Sequence, residues 1–367
     1  MIVVHVSPPA SPAERGEELG AAHPAAIAAN LERYAELFAI VARGAVDLRA
    51  LGTEALEAIG RHAPDAAEEI RGIAGGAGLE PWEVALLNAR TEVLARLRAP
   101  VRGECSTIVA LRAPGAAPAT LQTWDWHDTF ADGWLVWTIE HPDGRVVHML
   151  TEHGILGKIG VNSRGVGIHF NILGHERDGG AIGLPVHVLA RQVLDRAGNV
   201  GEALALLGGA EVSASSVLTV VGASAAGEAA VCAELCPAGP RFVTPGRRGV
   251  LVHTNHFLDP ELRRGDRAPT TAPDSYLRHD VLERALASAP PPRDRDDLLE
   301  LMTSHVGGAG AVCCHPDPGA PLGERWTSLA TVSLDVPAGA LWVREGGPCA
   351  PGAAWHVSTL TTQGTPA

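Results

Sequence analysis

The stretch RGECSTIVAL, residues 102–111, sets Cys105 ahead of two hydroxyl residues and an apolar run. A thiolate is a strong nucleophile, but a free thiol titrates near 8.5 and needs a base at neutral pH. A free α-amine titrates near 7.7–8.0, so a cysteine at a chain terminus carries a base of its own. Cutting the Glu104–Cys105 bond would create that terminus. An intramolecular route exists: the thiol attacks the Glu104 carbonyl carbon, the amide nitrogen leaves with the thiol proton, and water hydrolyses the thioester. The bland alternative is a small buried thiol, the usual fate of a free cysteine.

Other residue sets suggest chemistry less sharply. In QTWDWHD, residues 122–128, Asp125 stands between two tryptophans and is either a site carboxylate or a turn cap. In HTNHF, residues 253–257, Asn255 is a candidate amide donor, with a satisfied strand-end amide as its alternative. His253 and His256 have HxxH spacing, but residues three apart on a strand point to opposite faces and share one ion poorly. Cys232 and Cys236, and the CCHP run holding Cys313 and Cys314, lack the CxxC frame of common zinc sites and read as structural thiols. Lys158, the only lysine in the chain, reads as a solvated or packing residue. Asn88, Arg90 and Glu92 form a polar helix face. No GxGxxG follows a strand and no GxxxxGK[ST] occurs, so no nucleotide fingerprint is present.

These residues must be positioned by two kinds of structure. The first hundred residues have helical periodicity. In residues 24–42, Ile27, Leu31, Tyr34, Leu37, Phe38 and Val41 form one stripe. A second helix is expected from a Thr53 cap, interrupted at Pro64, and a third over LEPWEVALLNARTEVLARL with Pro81 early in it. After Cys105 the period becomes extended, in short runs separated by Gly, Pro and Asp. Helices are expected again over PVHVLARQVLDRA, after Asn199 as a cap, and over APDSYLRHDVLERALAS and DRDDLLELMTSH, followed by a closing strand pair. Strands grouped apart from helices imply sheets with segregated helical layers, an α+β arrangement. The expected division is a mainly helical segment 1–104 and a nucleophile-bearing segment 105–367.

Taken in order, LLNARTE, ECST, QTWDW, EHGILGKIGVNSRGVG and HTNHF resemble the acyl-coenzyme A:6-aminopenicillanic acid acyltransferase family, the N-terminal-nucleophile hydrolases of peptidase family C45. The resemblance runs from about residue 20 to residue 349. It implies a four-layer αββα sandwich and autoproteolysis immediately before Cys105. Asp125 would orient the new amine, and Asn255 would donate to the oxyanion. It also implies an arginine in the C-terminal part, placed at Arg325, with Ser328 as an alternative polar member; Arg90 or Glu92 would help position the precursor bond. Glu104 stands where the penicillin enzyme has glycine, and the ending GTPA is not a peroxisomal tripeptide. Both point away from penicillin as the substrate.

The expected activity is therefore attack by Cys105 on an amide or thioester carbonyl, then transfer of the acyl group to water or an amine. No cofactor or metal is expected, an acyl-coenzyme A is a candidate donor, and the N-terminal fragment would be the partner of the rest. Composition agrees. A net charge of −13 argues against nucleic acid or an anionic membrane. No long apolar span or signal-like N-terminus is read, and six scattered cysteines suit a reducing cytoplasm. Two alternatives stay open: a metal-dependent amidohydrolase built on histidines, and a non-catalytic ligand-binding relative.

Overall fold

The computed structural model describes residues 1–98, 105–112, 116–224 and 227–360. Glu104, one side of the expected cut, lies outside the described residues. The first segment runs β1 (Val4–Ser7), α1 (Pro12–Ala22), α2 (Pro24–Ala42), α3 (Leu48–His62), α4 (Pro64–Ala77), α5 (Pro81–Asn88) and α6 (Arg90–Arg96). After Cys105 come β2 (Ser106–Ala110), β3 (Ala119–His127), β4 (Trp134–Glu140), β5 (Val146–Glu152), β6 (Ile159–Asn162) and β7 (Val166–Ile172). Then follow α7 (Val186–Arg196), α8 (Val200–Gly208), β8 (Ser216–Ser224), β9 (Gly227–Leu235), β10 (Arg241–Val243) and β11 (Val250–His253). The chain closes with α9 (Ala268–Thr271), α10 (Asp274–Ser288), α11 (Arg295–Leu301), β12 (Trp326–Asp335), β13 (Ala340–Glu345) and β14 (His356–Ser358).

Two sheets form. One has the order β1-β4-β5-β6-β7-β8-β9-β10, the other β11-β2-β3-β12-β13-β14. They face each other through β2 against β7 and through β12 and β13 against β5 and β6. Helices α7 and α8 cover the first sheet, and α10 and α11 cover the second. The alternation of side chains along strands explains this layering. On β2, Val109 joins the core between the sheets, whereas Ile108 and Ala110 pack with Leu282, Leu286 and Leu298 of the outer helices. The architecture is the αββα sandwich expected. Among the described residues no helix is long and apolar enough to cross a membrane.

The helical stripe of α2 is buried at Ile27, Tyr34, Leu37 and Phe38 and half-buried at Leu31 and Val41. Three details differ from expectation. Helix α3 starts earlier than Thr53, because the Asp47 carboxylate accepts the Ala50 N–H at 2.9 Å and caps it. The third helix is two, broken at Ala89. The first segment also supplies a strand: β1 pairs in parallel with β4, from Val4 opposite Val136 to Ser7 opposite Ile139.

Helix α1, which has no clear apolar stripe, is held instead by close approach to α4. A Cβ on Gly16 would lie 2.1 Å from the Glu69 carbonyl oxygen, and one on Gly76 would lie 2.1 Å from that of Glu17. Only glycine permits two backbones so near. Between them Arg15 grips Glu69 at 2.6 Å, and Arg191 of α7 reaches the same carboxylate at 3.1 Å.

Candidate active site

Cys105 stands immediately before β2, which lies between the edge strand β11 and β3 in its sheet. Its thiol is 4% exposed and 3.7 Å from the Asp125 backbone oxygen. Burial first, and the Asp125 carboxylate second, push the thiol up to about 12. In the uncut chain this group is a protonated thiol, not a thiolate.

The Cys105 carbonyl is fixed from two layers. Asn171 of β7 donates Nδ2–H to it at 3.0 Å, and Arg278 of α10 donates from Nη1, also at 3.0 Å. The Thr107 hydroxyl donates to Asn171 Oδ1 at 2.8 Å, which turns the amide so that its nitrogen faces Cys105. Arg278 is fully buried and divides its donors among Cys105, Ser106 Oγ at 3.1 Å, Asn255 Oδ1 at 3.0 Å and Asp274 Oδ2 at 3.1 Å.

Asp125 connects to the same backbone through a hydroxyl. The Ser106 N–H donates to Thr123 Oγ1 at 3.2 Å, and that hydroxyl donates to Asp125 Oδ2 at 3.3 Å. Asn255 is held on both sides. Its N–H donates to Ser275 Oγ at 2.7 Å, and its Nδ2 donates to the Ile172 carbonyl at 2.9 Å. One hydrogen of that amide remains for a further acceptor. The loop is pinned by His253, whose Nε2 meets Glu234 Oε1 at 2.8 Å, while His256 Nδ1 meets Ser275 Oγ at 2.9 Å. The two histidines thus have separate partners, though not by strand alternation, because β11 ends at His253 and His256 lies in the bend beyond it.

Arg325 lies elsewhere. It pairs with Asp128 at 3.2 Å, and its neighbour Trp326 is opposite His127, whereas Ser106 is opposite Thr123. Four residues along β3 amount to roughly 13 Å. Ser328 is the residue opposite Asp125. The cation that hydrogen-bonds the Cys105 backbone is Arg278, whose only sequence signal is its place four residues after Asp274 on a helix, while Lys158 acts on the thiol through its charge.

Behind the two tryptophans lies a buried charge cluster. Glu152 accepts from Arg90 at 2.8 Å and from Lys158 at 2.5 Å, and also from the Tyr34 hydroxyl. Lys158 sits over the Trp124 ring at 3.9 Å and Arg90 over the Trp126 ring at 4.4 Å, so the rings flanking Asp125 are each roofed by a cation. Burial would raise the Glu152 carboxyl, but Arg90 and Lys158 outweigh it and hold the group well below the usual range. Burial brings Lys158 down to about 7 against the pull of Glu152. Of the two sequence readings of Lys158, solvated or packing, the solvated one is corrected: the side chain is fully buried, because its charge has a carboxylate and a ring to meet.

A cavity of about 110 Å³ adjoins the site. Leu37, Val41, Leu94, Trp126, Ile172 and Trp326 line it. Ile172 is the residue whose carbonyl holds Asn255, so this apolar space begins one hydrogen bond from the Arg278 cluster.

Facing sheets between helical layers, with a cysteine just ahead of a strand one in from the sheet edge and polar groups converging on its backbone, make this an αββα sandwich. The model of the acyl-coenzyme A:6-aminopenicillanic acid acyl-transferase family matches residues 112–319. Over 288 residues, 78% of each chain, the sequence is 31% identical to the acyl-coenzyme A:6-aminopenicillanic-acid-acyltransferase 40 kDa form of Emericella nidulans. A solved structure, penicillin V acylase from Agrobacterium tumefaciens, is 13% identical and matches 70% of this chain and 87% of its own with a TM-score of 0.48. The chain belongs to the acyl-coenzyme A:6-aminopenicillanic acid acyltransferase family.

Proposed function

We propose that this chain is a self-processing amidohydrolase or acyltransferase whose nucleophile is Cys105. The observation that carries the reading is the pairing of a buried, protonated thiol with a backbone clamped at its own carbonyl by Asn171 and Arg278. Such a thiol is a poor nucleophile towards an outside substrate until a base is created beside it; its attack on the adjacent Glu104 carbonyl, where proximity replaces the base, makes the cut that creates one. The freed α-amine takes the thiol proton as sulfur attacks an acyl carbon. A thioester forms, and the leaving amine or thiol departs with a proton. Water or an acceptor amine then attacks the thioester and returns the thiol.

In this reading Asp125, whose carboxylate acts on the Cys105 thiol and is held by the Thr123 hydroxyl, orients the new amine. The spare Asn255 N–H serves the oxyanion, a contribution of about 10²–10³ in rate in other enzymes. Arg278, not Arg325, supplies the cationic wall. The apolar cavity takes the acyl chain. The relative's name carries an acyl-coenzyme A donor, and that thioester is one candidate donor here; simple amide hydrolysis is favoured because it needs no second substrate site. The N-terminal fragment stays as partner, and a reducing cytoplasm suits the free thiol.

The test is the denatured mass of the purified chain beside a Cys105→Ala control. Two fragments that split between Glu104 and Cys105, absent in the control, are expected. An intact wild-type chain with a thiol unreactive towards iodoacetamide would overturn the reading.

A further inference from the structure

Away from Cys105, four side chains converge whose spacing in sequence gave no hint of it. His305, Cys313, His315 and Cys349 each offer one donor atom, and all four atoms lie within 4.8 Å of one another. His305 Nε2 is 3.1 Å from His315 Nε2, and His315 Nε2 is 3.7 Å from Cys313 Sγ and 3.2 Å from Cys349 Sγ. We infer that these residues form a structural binding site for a tetrahedral, thiophilic divalent cation of the zinc class.

The chemistry fits on three counts. With metal–sulfur bonds of about 2.3 Å and metal–nitrogen bonds of about 2.0–2.1 Å, a tetrahedron has N···N near 3.3 Å and S···N near 3.6 Å. The two S···N distances, 3.7 and 3.2 Å, bracket the second value, and the N···N distance of 3.1 Å lies close to the first. Two thiolates neutralise a divalent cation, and two imidazoles complete the Cys₂His₂ set of closed structural sites, with no position left for water. Each thiol releases its proton on binding.

The location gives the site a task. Residues 302–325, between α11 and β12, hold no regular element beyond the single turn Gly308–Gly310. Connections longer than about 12–15 residues without structure of their own are uncommon in compact folds. The cation would join that loop, through His305, Cys313 and His315, to the chain just after β13, through Cys349. The loop already meets β12 by hydrogen bonds: Ser328 N–H donates to the Cys314 carbonyl, and Cys314 N–H to Ser328 Oγ, both at 3.1 Å. Ser328 lies opposite Asp125. The metal would therefore brace the strand behind the candidate carboxylate, without touching the reacting atoms. His305 and His315 are exposed and Cys349 is half-buried, so an ion has an entry path.

The experiment is elemental analysis of tag-free full chain after dialysis, followed by chelator stripping and titration with Co²⁺. About one zinc per chain is expected, with visible bands of tetrahedral thiolate-bound Co²⁺ that Zn²⁺ then displaces. His305→Ala, at one of the two exposed ligands, and Cys349→Ser should lose both signals, while Cys236→Ser keeps them. Because the Co²⁺ titration is done on the wild-type chain, a variant that fails to fold does not blunt the test. Two results would overturn the inference: a wild-type chain that holds no metal and gives no Co²⁺ spectrum, or a Cys313–Cys349 disulfide that, once reduced, still binds neither ion.

Discussion

Arg278→Lys isolates what the buried guanidinium does. Arg278 spreads four hydrogen bonds over Cys105, Ser106, Asn255 and Asp274. A lysine keeps the charge and can follow Asp274, but its single ammonium cannot also bridge the Cys105 carbonyl and Asn255. A charge-assisted hydrogen bond nets about 1.5–3 kcal/mol, so losing the one on Cys105 should cost about that much stability. If the same contact holds the nucleophile in its reactive geometry, a rate loss of about ten- to a hundredfold follows, since ~1.4 kcal/mol is tenfold. The assay is the rate of Glu104–Cys105 cleavage, followed by denatured mass after refolding, beside a urea melt. Arg278→Met should be slower still. Arg278→Lys that loses stability yet cleaves at the wild-type rate would refute the positioning argument and leave Arg278 a packing residue.

Three further outcomes follow from the same geometry. Burial raises Glu92 to about 7, so between about pH 4.3 and that value the folded chain holds more protons than the unfolded one, and stability falls as pH rises. Glu92→Gln keeps an acceptor for the Val186 N–H and should remove that fall, gaining ~1–3 kcal/mol relative to wild type across the window in urea melts. Lys158 has the opposite linkage: its folded value of about 7 lies below the unfolded one of about 10.4, so wild type gains stability with rising pH across that interval. Melts of Lys158→Met should lack this gain, and parallel curves would rule the linkage out. Leu37→Trp should fill the cavity and lower kcat/KM for long acyl donors, by about fourfold per excluded methylene, while sparing short ones; equal losses across chain lengths would place the acyl group elsewhere.

How much of this was legible in the sequence depended on whether the signal was local. The α2 stripe, the Asn199 cap and the strand alternation around Cys105 are matters of spacing, and each shows in the residues alone. The β1 strand does not, because its four residues become a strand only through β4, more than a hundred positions away. Helix α1 carries its signal in Ser11 and Glu14, which form a capping box, and in glycines that make sense only once α4 is beside them. At the candidate site, Cys105, Asp125 and Asn255 do come together, within two hydrogen bonds of Cys105 or its neighbours. Arg278 was missed because a helical arginine four residues after an aspartate has the look of an exposed pair; burial, not spacing, gives it its partners. The four donors around His315 were invisible for a similar reason, since a loop and the far end of a hairpin supply them.

The interleaving of the two segments changes what a cut at Cys105 would mean for folding. Before the cut, β1 and Glu69 find β4 and Arg191 within one chain, so assembly is unimolecular and independent of concentration. After it, the same contacts join two molecules. The second fragment keeps the six-stranded sheet whole but loses β1 from the eight-stranded one, and neither fragment has a neutralised interior of its own, because Glu69, Arg90 and Tyr34 lie on one side and Arg191 and Glu152 on the other. Dissociation would then amount to unfolding, and recovery would require a bimolecular encounter that slows on dilution. The mature protein would be one that folds readily once, as a precursor, and thereafter persists by the slowness with which it comes apart.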